Sequence, residues 1–306
     1  LARSVLALYS YDENPDDLSF ENILRQSIEL IARFPSMIAY AYQAKQHYYE
    51  GKSLFIHTPR ADVSTAENFL HLIRPDNHYT EVEARILDLA LILHAEHGGG
   101  NNSAFATHVV SSSGTDTYSA IAAAVGSLKG PKHGGANIKV MKMMEHIMEN
   151  LNDWEDEEEV AAYLKKILRK EAFDGAGLIY GLGHAVYTVS DPRAVLLKKY
   201  AKSLSEKTGH EKEFALYERI ERLAPDVFDE EKGGKIISAN VDFYSGLVYK
   251  MMDIPEELYT PLFAMSRIVG WCAHRIEEVY ANGRIIRPAY KSVSPRQKYV
   301  PIEERK

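Results

Sequence analysis

The sequence predicts an all-α protein of two domains. Three observations carry that reading. Apolar residues recur every three or four positions over long stretches, capping signatures open several of those stretches, and convincing strand signals are scarce. At 306 residues the chain can bury a large core, and that length favours two domains over one. Hydrophobic residues make up 45% and charged residues 26%, the profile of a globular protein.

The elements follow in chain order. Ser64-Thr65-Ala66-Glu67 and Thr80-Glu81-Val82-Glu83 each set a hydroxyl ahead of a glutamate at capping-box spacing, so each opens a helix. In the second, Val82, Ile86, Leu89 and Leu93 form one stripe; Leu87 and Ile92 widen it enough to predict burial on most sides. This helix is expected to run to Gly98-Gly99-Gly100, where consecutive glycines cannot sustain it, and to carry His94 and His97 one turn apart. A second long helical region is expected from Ser103 to about Leu128, rich in Ala, Ser and Gly. Small side chains there suit either a close helix or subunit contact or an ordinary interior helix.

From Asp153 to Lys170 acidic residues come first and basic ones last, which complements a helix dipole. Val160, Leu164, Ile167 and Leu168 form its buried stripe. Segments 193–207 and 211–223 are further amphipathic helices, whereas 226–235, acidic and glycine-ended, reads as an exposed connection. Phe243 begins another apolar helical run, and a last helix starts near Pro261. Segments 52–57 and 235–238 are the only strand candidates, and neither has a clear partner.

Composition excludes several classes of function. A net charge of −7 argues against general attraction to nucleic acid or an anionic membrane, so a phosphate-bearing ligand needs a local basic patch. No apolar run approaches the ~20 residues needed to span a bilayer, and no signal peptide is read. The single cysteine, Cys272, cannot form an intrachain disulfide; it suits a reducing cytoplasm and is expected as a buried small hydrophobe. The chain opens at Leu1 rather than Met, so an N-terminal portion is expected to have been removed.

Three separated clusters carry the chemistry. In Gly130-Pro131-Lys132-His133-Gly134-Gly135, proline and glycine end a helix and leave room beside the backbone for a ligand facing His133. A structural turn histidine is the competing account. Gly181-Leu182-Gly183-His184 lacks the third glycine of a dinucleotide fingerprint and a preceding strand, so that reading is rejected. The following Asp191-Pro192-Arg193 offers a guanidinium fork suited to a carboxylate. In Asn240-Val241-Asp242-Phe243-Tyr244, apolar and aromatic neighbours should raise the pKa of Asp242 and strengthen it as a base toward a carbon acid; a helix-capping aspartate is the alternative.

Two histidines and an aspartate so placed are the inventory for taking a proton from carbon and stabilising the oxygen anion that results. His97 is expected to face the ligand and His94 to be structural. Phe263 and Arg267 fall on the last helix; an arginine in that apolar run needs a carboxylate, either from a ligand or in a structural salt bridge. The His-Ala-Glu-His spacing is not that of a zinc protease, and no metal is expected.

Taken together, these blocks resemble citrate synthase, with His94 to His97 and Asn101 to Ser103, Gly130 to Asn137, Gly181 to His184 with Asp191 to Arg193, Asn240 to Gly246, and Pro261 to Ala273 in matching order. The resemblance extends over essentially the whole chain. It implies an all-α homodimer with a large domain over 1–134 and 254–306 and a smaller mobile domain over 135–253, condensing acetyl-CoA with oxaloacetate. It implies that Asp242 abstracts the methyl proton, His133 hydrogen-bonds the thioester oxygen, and His184 polarises the ketone. It also implies that His97, Phe263, Arg193 and Arg267 hold oxaloacetate and that Arg287 reaches the neighbouring subunit's site. No permanently bound cofactor is implied; acetyl-CoA is a co-substrate. Where the family commonly has a basic residue after its Val-Tyr pair, this chain has Thr188-Val189-Ser190, so Lys129, Lys132 and Asn240 become the candidates for CoA contacts. Two other readings compete: 2-methylcitrate formation from propionyl-CoA, and a helical dimer that binds these ligands without turnover.

Overall fold

The structure, a computed structural model, describes residues 1–183, 189–233, 237–281 and 283–305. Among these residues the regular elements are helices: α1 (Ala2–Leu8), α2 (Phe20–Glu50), α3 (Thr65–Ile73), α4 (Glu81–His94), α5 (Asn102–Ser111) and α6 (Thr117–Leu128) come first. They are followed by α7 (Ala136–Asn150), α8 (Glu157–Leu168), α9 (Pro192–Thr208), α10 (Glu211–Lys232), α11 (Val241–Met251) and α12 (Tyr259–Tyr280), with short 3-10 turns between. Among the described residues no helix is long and apolar enough to cross a membrane. The fold is all-α, as expected.

Local chemistry explains most boundaries. Both capping boxes form: Ser64 Oγ accepts from Glu67 N while Glu67 accepts from Ser64 N, and Thr80 and Glu83 do the same. Each such cap stabilises its helix by about 1 kcal/mol. Asp156 caps α8 by accepting from Glu158 and Glu159, and the expected stripe on α8 is buried. The cysteine is buried too.

Several expectations are corrected. The 103–128 region is two helices, not one: the chain breaks after Ser111, passes Gly114 at φ +80°, and restarts where Asp116 accepts from Ser119 N. The resulting α5 and α6 pack against each other. Helix α4 ends at His94, so His97 lies in the following loop rather than on the helix; Ile92 joins Glu81, Arg85 and Asp88 in one exposed stripe, and the rest of α4 is buried or half-buried, as expected. The expected connection 226–235 is helical to Lys232, because α10 continues through Pro225, burying Ala224 before it and Val227 beyond it. Segment 52–57 is irregular, and 235–238 lies partly outside the described residues; its neighbourhood holds only an isolated bridge between Leu182 and Ala239.

Packing falls into two groups. Helix α12 lies against α2, α4, α5 and α6, with Trp271, Phe34 and Phe69 fully buried around it. Helix α11 lies against α7 and α9, and α10 against α8 and α9. There Tyr217 meets Phe243 edge-on at 5.2 Å, and Phe243 meets Tyr244 at 5.1 Å. Each such pair contributes roughly 0.5–1.5 kcal/mol beyond its buried area. The loop after α4, the turn after α6, the starts of α9 and α11, and the first turns of α12 face one cavity between the groups.

Candidate active site

That cavity has a volume of about 580 Å³. His97 and Asn101 enter from the α4–α5 loop, Lys132 and His133 from the α6–α7 turn, and Arg193 from the start of α9. Asn240 and Asp242 enter from the start of α11, and Phe263 and Arg267 from α12. His184 lies outside the described residues. Lys129 is exposed at the C-cap of α6 and does not line the cavity; Arg287 is exposed in the segment beyond α12 and does not line it either.

Helix-start geometry places the carboxylate. Asn240 is the N-cap of α11: its Oδ1 accepts from Asp242 N at 3.0 Å and its Nδ2 donates to Gly183 O at 3.0 Å. Asn240 is thereby committed to fixing the backbone, and Asp242 sits in the first turn rather than at the cap. Burial pushes the Asp242 carboxyl up to about 6, against the downward pull of the Arg193 and Arg267 guanidiniums, with Asp191 adding to the rise. Asp191 itself is buried and holds Arg193 through both carboxylate oxygens, at 3.0 Å to Nε and 2.8 Å to the terminal nitrogen. Its Oδ2 also accepts from Val241 N at 3.2 Å, so one carboxylate ties the start of α9 to the start of α11.

The turn presenting His133 is tight. A Cβ on Gly134 would fall 2.3 Å from Leu128 O, and Thr260 Oγ1 donates to Gly134 O at 2.8 Å, fastening the turn to α12. His133 Nε2 is 2.9 Å from Ser103 Oγ, which accepts from Trp271 Nε1 at 3.0 Å and donates to Asn101 Oδ1 at 3.0 Å. Burial, with Arg267 nearby, lowers His133 to about 4, so its ring is neutral at neutral pH. His94, buried on the wall behind, donates from Nδ1 to Ala90 O at 2.8 Å and stacks edge-on to Phe263 at 5.0 Å, the structural part expected of it.

Arg267 is buried, and among the described residues the salt bridge considered for it does not form. Its Nε donates to His94 O at 2.7 Å and its guanidinium lies 4.8 Å from the Phe263 ring centre, while Nη1 finds no hydrogen-bond partner among the described residues. Burial lowers Arg267 to about 10, opposed by Glu96 and, more weakly, Asp242. Glu96 shapes the His97 loop by accepting from the backbone N–H groups of His97, at 2.7 Å, and Gly98. The loop crosses α12 at Gly270, where any Cβ would collide with Ala95 O and the Glu96 carboxylate.

The site thus joins a carboxylate poised to accept a proton, a neutral imidazole, and two guanidiniums. Such a set can bind a small anion carrying carboxylates and enolise a neighbouring carbon acid. Ser103, Trp271 and Asp191 also support it, and no role was read for them in the sequence. Their effect comes from partners remote in the chain; the only local signal was the polar Asn101-Asn102-Ser103 run.

Comparison with known proteins agrees. Residues 1–289 match the family model described as citrate synthase, C-terminal domain. The chain is 38% identical over 306 residues to a citrate synthase of Deinococcus radiodurans, covering 100% of this chain and 74% of that protein. It is 35% identical over 290 residues to a 2-methylcitrate synthase of Shewanella oneidensis, covering 94% of this chain and 70% of that one. Among solved structures it resembles a Thermoplasma acidophilum citrate synthase in ternary complex with carboxymethyl coenzyme A and oxaloacetate. That likeness has a TM-score of 0.80 and 31% identity, over 99% of this chain and 74% of the other.

Proposed function

From the premise that the chain belongs to the citrate synthase family, we propose how its own residues condense acetyl-CoA with oxaloacetate to give citrate and free CoA. The observation that carries the reading is the meeting of Asp242, His133 and Arg267 in one cavity. Asp242 takes a proton from the acetyl methyl group, and the C–H electron pair becomes the carbon–carbon double bond of the enol. For the neutral His133 ring to present Nδ1–H to the thioester oxygen as charge develops there, the Ser103 hydroxyl proton turns from Asn101 Oδ1 to His133 Nε2, 2.9 Å away. The enol carbon attacks the oxaloacetate ketone; its oxygen takes a proton from His184, a role implied by family resemblance. Water then cleaves the thioester, releasing CoA. Arg193, Arg267 and His97 hold the oxaloacetate carboxylates, and Phe263 walls the pocket.

Ser103 is a positioning residue in this scheme. Ser103→Ala should cut kcat by about 10²-fold, the low end for a positioned proton donor, with little change in the KM for oxaloacetate. Equal losses in both parameters would make its role structural instead.

Lys132, exposed at the cavity rim, suits a CoA phosphate; Lys129 and Asn240 are weaker candidates because one stands off the cavity and the other is engaged in capping. Residues 135–253 act as the smaller domain, closing on oxaloacetate before the thioester is engaged and excluding water. The two packing groups support that division. A lone cysteine suits a cytoplasmic setting.

A homodimer is supported by the segment after α12, which its own protomer hardly covers: Tyr290 is 93% and Val293 100% exposed. Lying on a second copy, it carries Arg287 to the neighbouring site. Arg287→Ala and Asp242→Ala proteins, each inactive alone, should then regain partial activity when co-refolded, because one hybrid site is complete. No recovery would confine Arg287 to its own subunit.

Release of free CoA, followed with acetyl-CoA and then propionyl-CoA in the presence of oxaloacetate, tests the whole reading. A preference for propionyl-CoA would favour the 2-methylcitrate reaction, which needs space for one more methyl, worth only ~1–3 kcal/mol. Silence on both would leave a binding protein.

A further inference from the structure

The helices α5 and α12 that frame the cavity also bring together titratable groups that the reaction does not use. His108, on α5, stands 2.6 Å from Glu278 Oε2 through Nδ1 and 3.0 Å from His274 Nδ1 through Nε2. The same Nδ1 of His274, on α12, is 3.3 Å from Glu277 Oε2. Its Nε2 lies 3.0 Å from Glu96 Oε1, though off the line of a hydrogen bond. Both rings are largely enclosed, while Glu277 opens to solvent.

Counting protons shows a mismatch. Nδ1 of His108 must carry the proton that Glu278 accepts, so a neutral His108 turns a lone pair from Nε2 toward His274. A neutral His274 has one proton to place. On Nε2, that proton faces Glu96, but lone pairs of Nδ1, His108 Nε2 and Glu277 then converge on one point. On Nδ1, it leaves the Nε2 lone pair against the Glu96 carboxylate. Neutral rings cannot satisfy every contact, whereas a positive charge at the point of convergence can. Three carboxylates around two rings suffice to balance a divalent ion.

The convergent atoms have the spacing of a ligand set. His108, His274 and Glu277 each offer one atom, all within 4.8 Å of one another. Tetrahedral zinc ligands stand roughly 3.3 Å apart, close to the observed 3.0 and 3.3 Å contacts. Behind each ring a carboxylate faces the other nitrogen, Glu278 for His108 and Glu96 for His274, the outer shell that fixes tautomer and orientation in metal-bound histidines. Two imidazoles and a carboxylate suit a borderline cation of the zinc class over magnesium or calcium.

We infer that His108, His274 and Glu277 bind a divalent cation of the zinc class, and that Glu96 connects this site to the loop carrying His97. A cation on His274 Nδ1 confines the ring proton to Nε2, facing Glu96. Glu96 in turn accepts the backbone N–H groups of His97 and Gly98, so occupancy bears on oxaloacetate affinity. The connection rests on the proposed function; the binding site does not.

Titration of the metal-free protein with Co2+, read by visible absorption, tests the site directly. One cobalt per chain is expected, displaced by Zn2+. Glu277→Ala, at a solvent-exposed position that leaves folding intact, and Glu278→Gln, which acts behind His108, should each weaken binding by ~10–100-fold. No absorption band in the wild type, or an unchanged one in Glu277→Ala, overturns the site and leaves the two rings sharing a proton. The connection is read from the KM for oxaloacetate with and without Zn2+. A metal-dependent shift in the wild type that Glu277→Ala lacks supports it, and identical values in the wild type refute it. Should the protein release no CoA at all, the cobalt titration still decides the site.

Discussion

Replacing Asp242 with alanine is expected to lower turnover by ~10²–10⁴-fold while leaving oxaloacetate binding nearly intact. A methyl group beside a thioester is a weak acid, so the base must be strong as well as close. Burial raises the Asp242 carboxyl from its usual 3.8 to about 6, which makes its anion a better proton acceptor than an exposed carboxylate. Arg193 and Arg267 limit that rise. Oxaloacetate, bringing two negative charges to those arginines, should offset their pull and strengthen the base only when the electrophile is in place. With oxaloacetate saturating, kcat/KM for acetyl-CoA should therefore be lost as pH falls, from a point no lower than about 6, since protonated Asp242 cannot accept a proton. The same shift has a stability consequence of known sign. A carboxyl whose folded pKa exceeds its unfolded value favours the fold below the unfolded value and loses that contribution as pH rises through about 6. Asp242→Asn should thus gain stability over the wild type near pH 8 and not near pH 4. Near-normal CoA release from Asp242→Ala would remove the base from the mechanism.

Local chemistry made much of this legible, and distance in the chain hid the rest. Ser64 with Glu67 and Thr80 with Glu83 could be read as caps because the interacting groups lie within one turn. The blocks around His133, Arg193 and Asp242 stood out because glycine, proline and capping residues surround reactive side chains, and the structure brings these residues to one cavity. Helix α2 escaped notice, with Pro35 inside its 31 residues; so did α7. The continuation of α10 through Pro225 is not legible because packing, not propensity, decides it, whereas the break at Gly114 rests on local signals, the glycine and the Asp116 cap. Trp271 donating to Ser103, and Asp191 accepting from Val241, join positions with no pattern to link them. The sequence raised two options for Arg267, a ligand or a salt bridge; only the fold reveals a buried guanidinium nitrogen without a partner among the described residues.

That unpartnered nitrogen sets up the second large effect, which has opposite signs for stability and binding. Burial lowers Arg267 from 12.5 to about 10, so holding it charged at neutral pH costs the empty protein on the order of 3 kcal/mol. The fold tolerates this because Nε is satisfied by His94 O and Phe263 offers its ring face. In the proposed function oxaloacetate would supply the missing acceptor, and a charge-assisted hydrogen bond there would contribute about 1.5–3 kcal/mol. Arg267→Met keeps the volume and apolar contacts but removes the charge. It should weaken oxaloacetate binding by ~10²–10⁴-fold, for a carboxylate losing two such bonds. In the absence of ligand the variant should melt at or above the wild-type temperature, since relief of the buried charge outweighs the lost bond to His94 O, worth about 1–3 kcal/mol once that carbonyl is left unpaired. Calorimetric titration and thermal unfolding on the same two proteins separate the effects. A strongly lowered melting temperature with unchanged oxaloacetate affinity would make Arg267 a core anchor, whereas tighter folding with lost binding makes its burial a cost that substrate recognition requires.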